Sequence, residues 1–224
     1  MLHLILTLTP LEAFMRYSLL TTIGLASAFA LGCGDRGLTD TTEADAGRAD
    51  TFSPRSTVTD AGVLAALAEV RRPTAKYHNI DAAMAAGYTV WSPDPFVAGA
   101  TCPSSAEGQM GYHLVNVGLR GSAADPAAGD ATIDPLQPEM LLYEKRGDGK
   151  LHLVGVEYLV FQAAWEREHG AGAAAPEVFG QPLLASSHTF VPNGPSIPHY
   201  ELHVWIWTGN PLGMFSPWNP NVTC

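Results

Sequence analysis

The spacing of apolar residues changes character near the middle of this chain, and the change divides it into two kinds of element. From Thr59 onward, Val63, Leu64, Leu67, Ala68 and Val70 recur at helical spacing behind a cap at Thr59 or Asp60. This predicts a helix that Pro73 ends or restarts. A second short helix is predicted in "NIDAAMAAGY", capped by Asn79 or Asp81 and stopped by Gly87. Tyr88–Trp91 reads as a short strand, and "SPDPFVAGATCPSSAEG" reads as a loop from its Pro, Gly and Ser content.

Strand signals dominate after that loop. "MGYHLVNVGL" is a candidate strand, and "PEMLLYEKRGDGKLHLVGVEYLVF" is a hairpin turning at Asp148-Gly149. "AAWEREHG" predicts one or two helical turns ending at Gly170. Residues 171–198 read as mostly irregular, and "YELHVWIW" as the last strand. The tail "TGNPLGMFSPWNPNVTC" is too rich in Pro and Asn for regular structure, yet it keeps Met214, Phe215 and Trp218, as an ordered aromatic loop would. The expected class is α+β: two N-terminal helices, then a mostly antiparallel sheet of four or five strands, forming one domain over 58–224.

The segment ahead of that domain has a different logic. Residues 15–33, "MRYSLLTTIGLASAFALGC", place one Arg before a short apolar run and small residues before Cys33, the pattern of an export signal. The approach to Cys33 resembles a bacterial lipobox, with Ala30 where Leu is usual. Cys33 is then the expected lipidated residue and the link to a membrane, and Met15 the expected true start. Residues 34–57 are small, polar and acidic, as in a flexible tether. Gly32, Gly34 and Gly37 match a dinucleotide-binding spacing but follow no strand, so that reading fails.

Composition narrows the function. Of the 224 residues 46% are hydrophobic and 15% charged, which suits a folded domain. The net charge is −10, and no Lys/Arg cluster is longer than the pair Arg71-Arg72, so a nucleic-acid surface is set aside. Export places the protein in the periplasm or at the cell surface, where disulfides persist. With Cys33 lipidated, Cys102 and Cys224 are left to pair.

The chemistry concentrates in "PHYELHVWIW". Strand alternation puts His199, Glu201, His203, Trp205 and Trp207 on one face. His199 and His203 stand about 13 Å apart in a straight strand, too far to share an ion without a bend, whereas i, i+2 neighbours lie within reach. Glu157 sits among Leu151, Leu153, Gly155, Leu159 and Phe161, where a carboxylate is expensive to bury unless paired, protonated or metal-bound. These positions predict a metal or small-ligand site built from His113, Glu157, Glu201 and His203, supported by His199 and by His188 on a loop. Mixed imidazole and carboxylate ligands suit one divalent Zn, Fe, Mn or Cu ion.

Two other readings stay open on the same residues. Glu157 and Glu201 also satisfy the residue types of a glycosidase acid/base pair, with Trp205, Trp207 and Trp218 as a stacking surface. Alternatively the three tryptophans form a docking surface for an envelope partner, with no active site. No G-x-S-x-G, H-E-x-x-H, P-loop or C-x-x-C spacing is present.

The segments "RPTAKYHNIDAAMAAGY", "GQMGYHLVN", "DPLQPEMLLYE", "LVGVEYLVF" and "LHVWIWTGNPLGMFSPWNPNVTC" resemble those of a group of exported bacterial proteins to which no biochemical role is attached. The resemblance spans about Arg72 to Cys224. It implies an exported single-domain protein with the "MGYH", "VEY" and "LHVW" stretches in this order, and it assigns no catalytic residue.

Overall fold

The computed structural model describes residues 59–190 and 193–224; the export segment, Cys33 and the tether lie outside the described residues. Helix α1 (Ala61–Thr74) starts where the Asp60 side chain accepts the backbone N–H groups of Gly62 and Val63. Two of the amides orphaned at a helix start are thereby satisfied. The helix runs through Pro73 and tightens into a 3-10 turn over Ala75–His78. Asn79 then caps α2 (Ile80–Ala85), accepting from the Asp81 amide. Gly87, at φ 95°, turns the chain out of it, a conformation that costs glycine nothing. Among the described residues no helix is long and apolar enough to cross a membrane.

One antiparallel sheet follows. It contains β1 (Val90–Ser92), β2 (Tyr112–Val115), β3 (Met140–Lys145), β4 (Leu151–Phe161), β5 (Leu184–Thr189) and β6 (Ser196–Val204), in the order β1-β2-β3-β4-β6-β5. The short helices α3 (Val117–Arg120) and α4 (Gln162–His169) follow β2 and β4. The class is α+β as expected, but the strands number six rather than four or five. The additional one is β5, "LASSHT", inside the stretch expected to be irregular. It is an edge strand with mostly exposed side chains, so it shows no apolar alternation in the sequence. Strand β6 also begins earlier than expected and contains Pro198. Pairing of β6 with β4 starts only at His199, so Pro198 has a neighbour on one side alone and its missing N–H is tolerated.

The two faces of the sheet differ. Leu114, Leu141, Tyr143, Leu153, Val156, Tyr158, Leu202 and Val204 are covered by Leu67, Val70, Tyr77 and Ala83 from the helical segment. The opposite face has an apolar cluster at each end. Val115, Met140, Leu159, Phe161 and Ile197 gather beneath Ala164 of α4 at one end, and Leu142, Val154, Trp205 and Val222 gather at the other.

A bulge makes this partition possible. Leu142 pairs with Gly155 and Tyr143 with Leu153, so Val154 is an extra residue in β4. Leu153 therefore faces the helices while Glu157 faces away, although simple alternation puts both on one side. Gly155 is required where Trp205 lies over the strand, since a Cβ there would stand 2.8 Å from the Val204 carbonyl and 3.3 Å from the indole.

The tail folds back on the sheet. The Trp205 amide and indole N–H donate to the carbonyls of Met214 and Ser216, and the Lys145 amide donates to the Thr223 carbonyl. Cys102 and Cys224 form the expected disulfide, with Cα atoms 5.9 Å apart across 122 residues. Three buried tyrosine hydroxyls pin connecting segments: Tyr88 to the Pro138 carbonyl, Tyr143 to Tyr77 and Tyr158 to Pro135, each at 2.6 Å.

Glu139 is buried between Pro138 and β3, with its carboxylate accepting the Leu159 amide at 3.1 Å. Burial, with no imidazole beside it, pushes its pKa from 4.5 up to about 8.

Two stability measurements follow from these features. The double variant Cys102→Ser, Cys224→Ser should lose about 4–5 kcal/mol in urea unfolding, the loop-closure value for a ring of this size. The folded state holds a proton on Glu139 that the unfolded chain releases above pH 4.5. Stability contributed by this group is therefore present below pH 4.5 and lost as pH rises to about 8, at up to about 1.4 kcal/mol per pH unit. The difference in stability between Glu139→Gln and wild type, measured across that window, should grow with pH in favour of the variant.

Candidate metal centre

Between the two apolar clusters of the outer face lies a band of ionisable side chains. Ile197, His199, Glu201 and His203 alternate onto this face along β6. The register sets His203 opposite Glu157, Glu201 opposite Leu159, and His199 opposite Phe161. On the other side of β6, Ile197 stands opposite His188 and His199 opposite Ser186. His113 of β2 pairs with Leu142 of β3 and stands two strands across and two residues along from Glu157, about 12 Å at the backbone. Its imidazole reaches across β3 to close that gap.

The expected set of His113, Glu157, Glu201 and His203 is divided by the structure into two groups. His113, Glu157 and His203 form one, and His188, His199 and Glu201 form the other. Glu201 is thus not a partner of His113 or His203. The physical reason is the strand register: the residue across from His203 is Glu157, while Glu201 leans toward the edge strand. His188 lies on β5 rather than on a loop. The sequence expectation that His199 and His203 stand too far apart to share an ion agrees with their separation into different groups.

The first group is buried throughout. Nε2 of His113 lies 3.1 Å from Glu157 Oε2 and 3.4 Å from Nε2 of His203, which is itself 3.7 Å from Glu157 Oε2. A triangle with those sides has a circumradius of about 2.0 Å, so an ion about 2.1 Å from each atom would sit about 0.7 Å above its plane. That is the height of a metal over one face of its tetrahedron at that bond length. Glu157 Oε2 and His203 Nδ1 are buried and make no hydrogen bond among the described residues. The neighbours of Glu157 Oε2 in the triangle are the two imidazole nitrogens, and a cation at its centre would be ligated by all three atoms at once.

The second group is more open. Glu201 Oε2 lies 3.1 Å from Nε2 of the buried His199 and 3.6 Å from Nε2 of His188, whose side chain is 51% exposed. Nδ1 of His199 donates to the Ile197 carbonyl at 2.7 Å. Such a backbone contact fixes the tautomer of a ligating histidine and leaves Nε2 as a lone pair.

Electrostatics separate these carboxylates from Glu139. Burial alone would raise all three. At Glu157 the nearby His203 and His113 outweigh burial and hold the pKa below the usual value. At Glu201 the hydrogen bonds of His188 and His199 likewise outweigh burial and hold the pKa well below the usual value. Glu201 in turn raises the pKa of His188, while burial lowers that of His203.

Among the described residues a single buried guanidinium completes the surroundings. Arg120 is held over the rings of Phe161 and Phe190, 5.4 Å and 4.9 Å from their centroids, and its Nε donates to the Gly121 carbonyl. Burial lowers its pKa and Glu157 opposes that shift. Arg120 is thus the guanidinium on this face, with its planar group held by aromatic rings rather than by either carboxylate. Neither Arg120 nor Glu139 stood out in the sequence. A lone Arg after "NVGL" and a Glu after "QP" have no periodic pattern to mark them as buried.

The other two sequence readings fare worse against the geometry. A glycosidase pair needs two carboxyls facing one substrate, whereas Glu157 and Glu201 stand in separate groups, each with two histidines of its own. The tryptophans do not share a surface. Strand β6 ends at Val204 in a tight turn, with the Ile206 amide bonded to the Val204 carbonyl. Trp205, 1% exposed, fills the outer core, whereas Trp207 packs on the helix side against His78, and Trp218 is half-buried.

Nitrogen NMR of the histidine side chains checks the orientation of the second group. In the metal-free protein at neutral pH, His199 should show the proton on Nδ1, held by Ile197. A proton found on Nε2 instead would place the lone pair away from Glu201.

Comparison of the chain with family models, with curated proteins and with solved structures finds no match.

Proposed function

We propose that this is an exported, lipid-anchored envelope protein whose sheet holds one divalent transition metal between His113, Glu157 and His203. The observation that carries this reading is the convergence of two imidazole Nε2 atoms and an otherwise unbonded carboxylate oxygen within 3.1–3.7 Å on a buried face. Two histidines and one carboxylate are the donor set of catalytic zinc sites and of non-haem iron(II) sites. Three protein ligands leave at least one coordination position for a water or a ligand atom, and Zn and Fe(II) suit the set best among the four metals considered. The slight exposure of His113 marks the side from which such a molecule would approach. The lipobox-like approach to Cys33 supports the anchor, and the disulfide suits the oxidising compartment that export implies.

Metal analysis of the purified chain tests the reading. After dialysis against buffer without chelator, the wild type should retain at least one Zn or Fe ion per chain. Glu157→Gln and His203→Ala should each lose it while keeping the wild-type far-ultraviolet circular dichroism. A wild type that retains no metal, and whose melting temperature does not rise with added Zn²⁺ or Fe²⁺, would refute it.

A further inference from the structure

We propose that His188, His199 and Glu201 form a second divalent-metal site, separate from the buried one and open to exchange with solvent. The argument begins with His199. Its Nδ1 proton is committed to the Ile197 carbonyl, so the Nε2 atom facing Glu201 Oε2 at 3.1 Å presents a lone pair to a carboxylate oxygen. Two acceptors at that distance need either a proton or a cation between them. His188 brings a second imidazole nitrogen to 3.6 Å from the same oxygen, and all three donor atoms lie within 4.8 Å of one another. The donor set repeats that of the buried site, two imidazoles and one carboxylate, so the fitting ligand is again a borderline divalent ion such as Zn²⁺.

The fold keeps the two sites apart. Glu201 stands opposite Leu159 and His203 opposite Glu157, one strand repeat or about 6.7 Å further along β6. Each group has its own carboxylate, so the second does not depend on occupancy of the first. Access differs as well. His113, Glu157 and His203 are all buried, whereas His188 is half-exposed on an edge strand paired on one side only. The ring of Phe190 flanks the two histidines, 4.5 Å from His188 and 5.0 Å from His199, and shields the inner side of the site. An ion there would bind through two fixed inner ligands and one outer ligand that can swing into water, an arrangement for loading and release. The competing arrangement is metal-free, with a proton rather than a cation between His199 Nε2 and Glu201 Oε2.

Titration of the metal-stripped full-length protein with Co²⁺, followed by its visible absorption, separates the two. The wild type should take up two equivalents, and His188→Ala, at an exposed position that leaves the fold intact, should take up one. Glu201→Gln should behave like His188→Ala, and His113→Ala should lose the other equivalent instead. A His188→Ala variant that binds as much Co²⁺ as the wild type overturns the second site. One equivalent in the wild type, abolished by His188→Ala and untouched by His113→Ala, sustains this site and sinks the buried one. No uptake by the wild type overturns both.

Discussion

A carboxylate taken out of water must meet either a proton or positive charge, and this sheet solves the problem in two ways. Glu139 has amide donors and no imidazole, so burial drives its pKa up to about 8 and it holds its proton at neutral pH. Glu157 and Glu201 are buried on the same sheet, yet both are held below the usual value because histidines surround them. The contrast between groups of one kind in one fold shows what the histidines do. They hold down the pKa of two carboxylates that burial alone would raise. His113 and His203 gather around one of those carboxylates, and His188 and His199 around the other.

Ordinary sheet architecture places that band. The bulge at Val154 changes which face the later residues of β4 occupy, and so delivers Glu157 to the side away from the helices. Gly155 leaves room for Trp205 beside it. The apolar clusters around Phe161 and around Trp205 then close the band at both ends. Low local dielectric between those clusters strengthens every charge interaction within it.

Much of this was legible in the sequence where periodicity was strong. The "PEMLLYE…VEYLVF" hairpin, the α+β class and the unusual standing of Glu157 all follow from alternation and from the cost of burying charge. The disulfide was reachable by counting cysteines once Cys33 was assigned to a lipid. Strand β5 was not legible, because an edge strand such as "LASSHT" needs no apolar alternation, and His188 was misplaced on a loop for that reason. The grouping of donors was not legible either. It depends on which residue of β4 faces His203, a matter of register between strands that a bulge of one residue resets. Alternation beyond Val204 also misled, since a turn that lies outside any periodic pattern sends Trp205 and Trp207 to opposite sides.

The bond between Cys102 and Cys224 closes a covalent ring, and every residue of the polar band lies on it. His113, Arg120, Glu157, His188, His199, Glu201 and His203 all fall between the two cysteines. A protease that cut one connecting loop would therefore open a macrocycle rather than separate a fragment. All the donors would remain on one molecule, their effective concentration still set by a short tether rather than by dilution. In an environment with secreted proteases, that connectivity makes loss of the donor set a two-cut event.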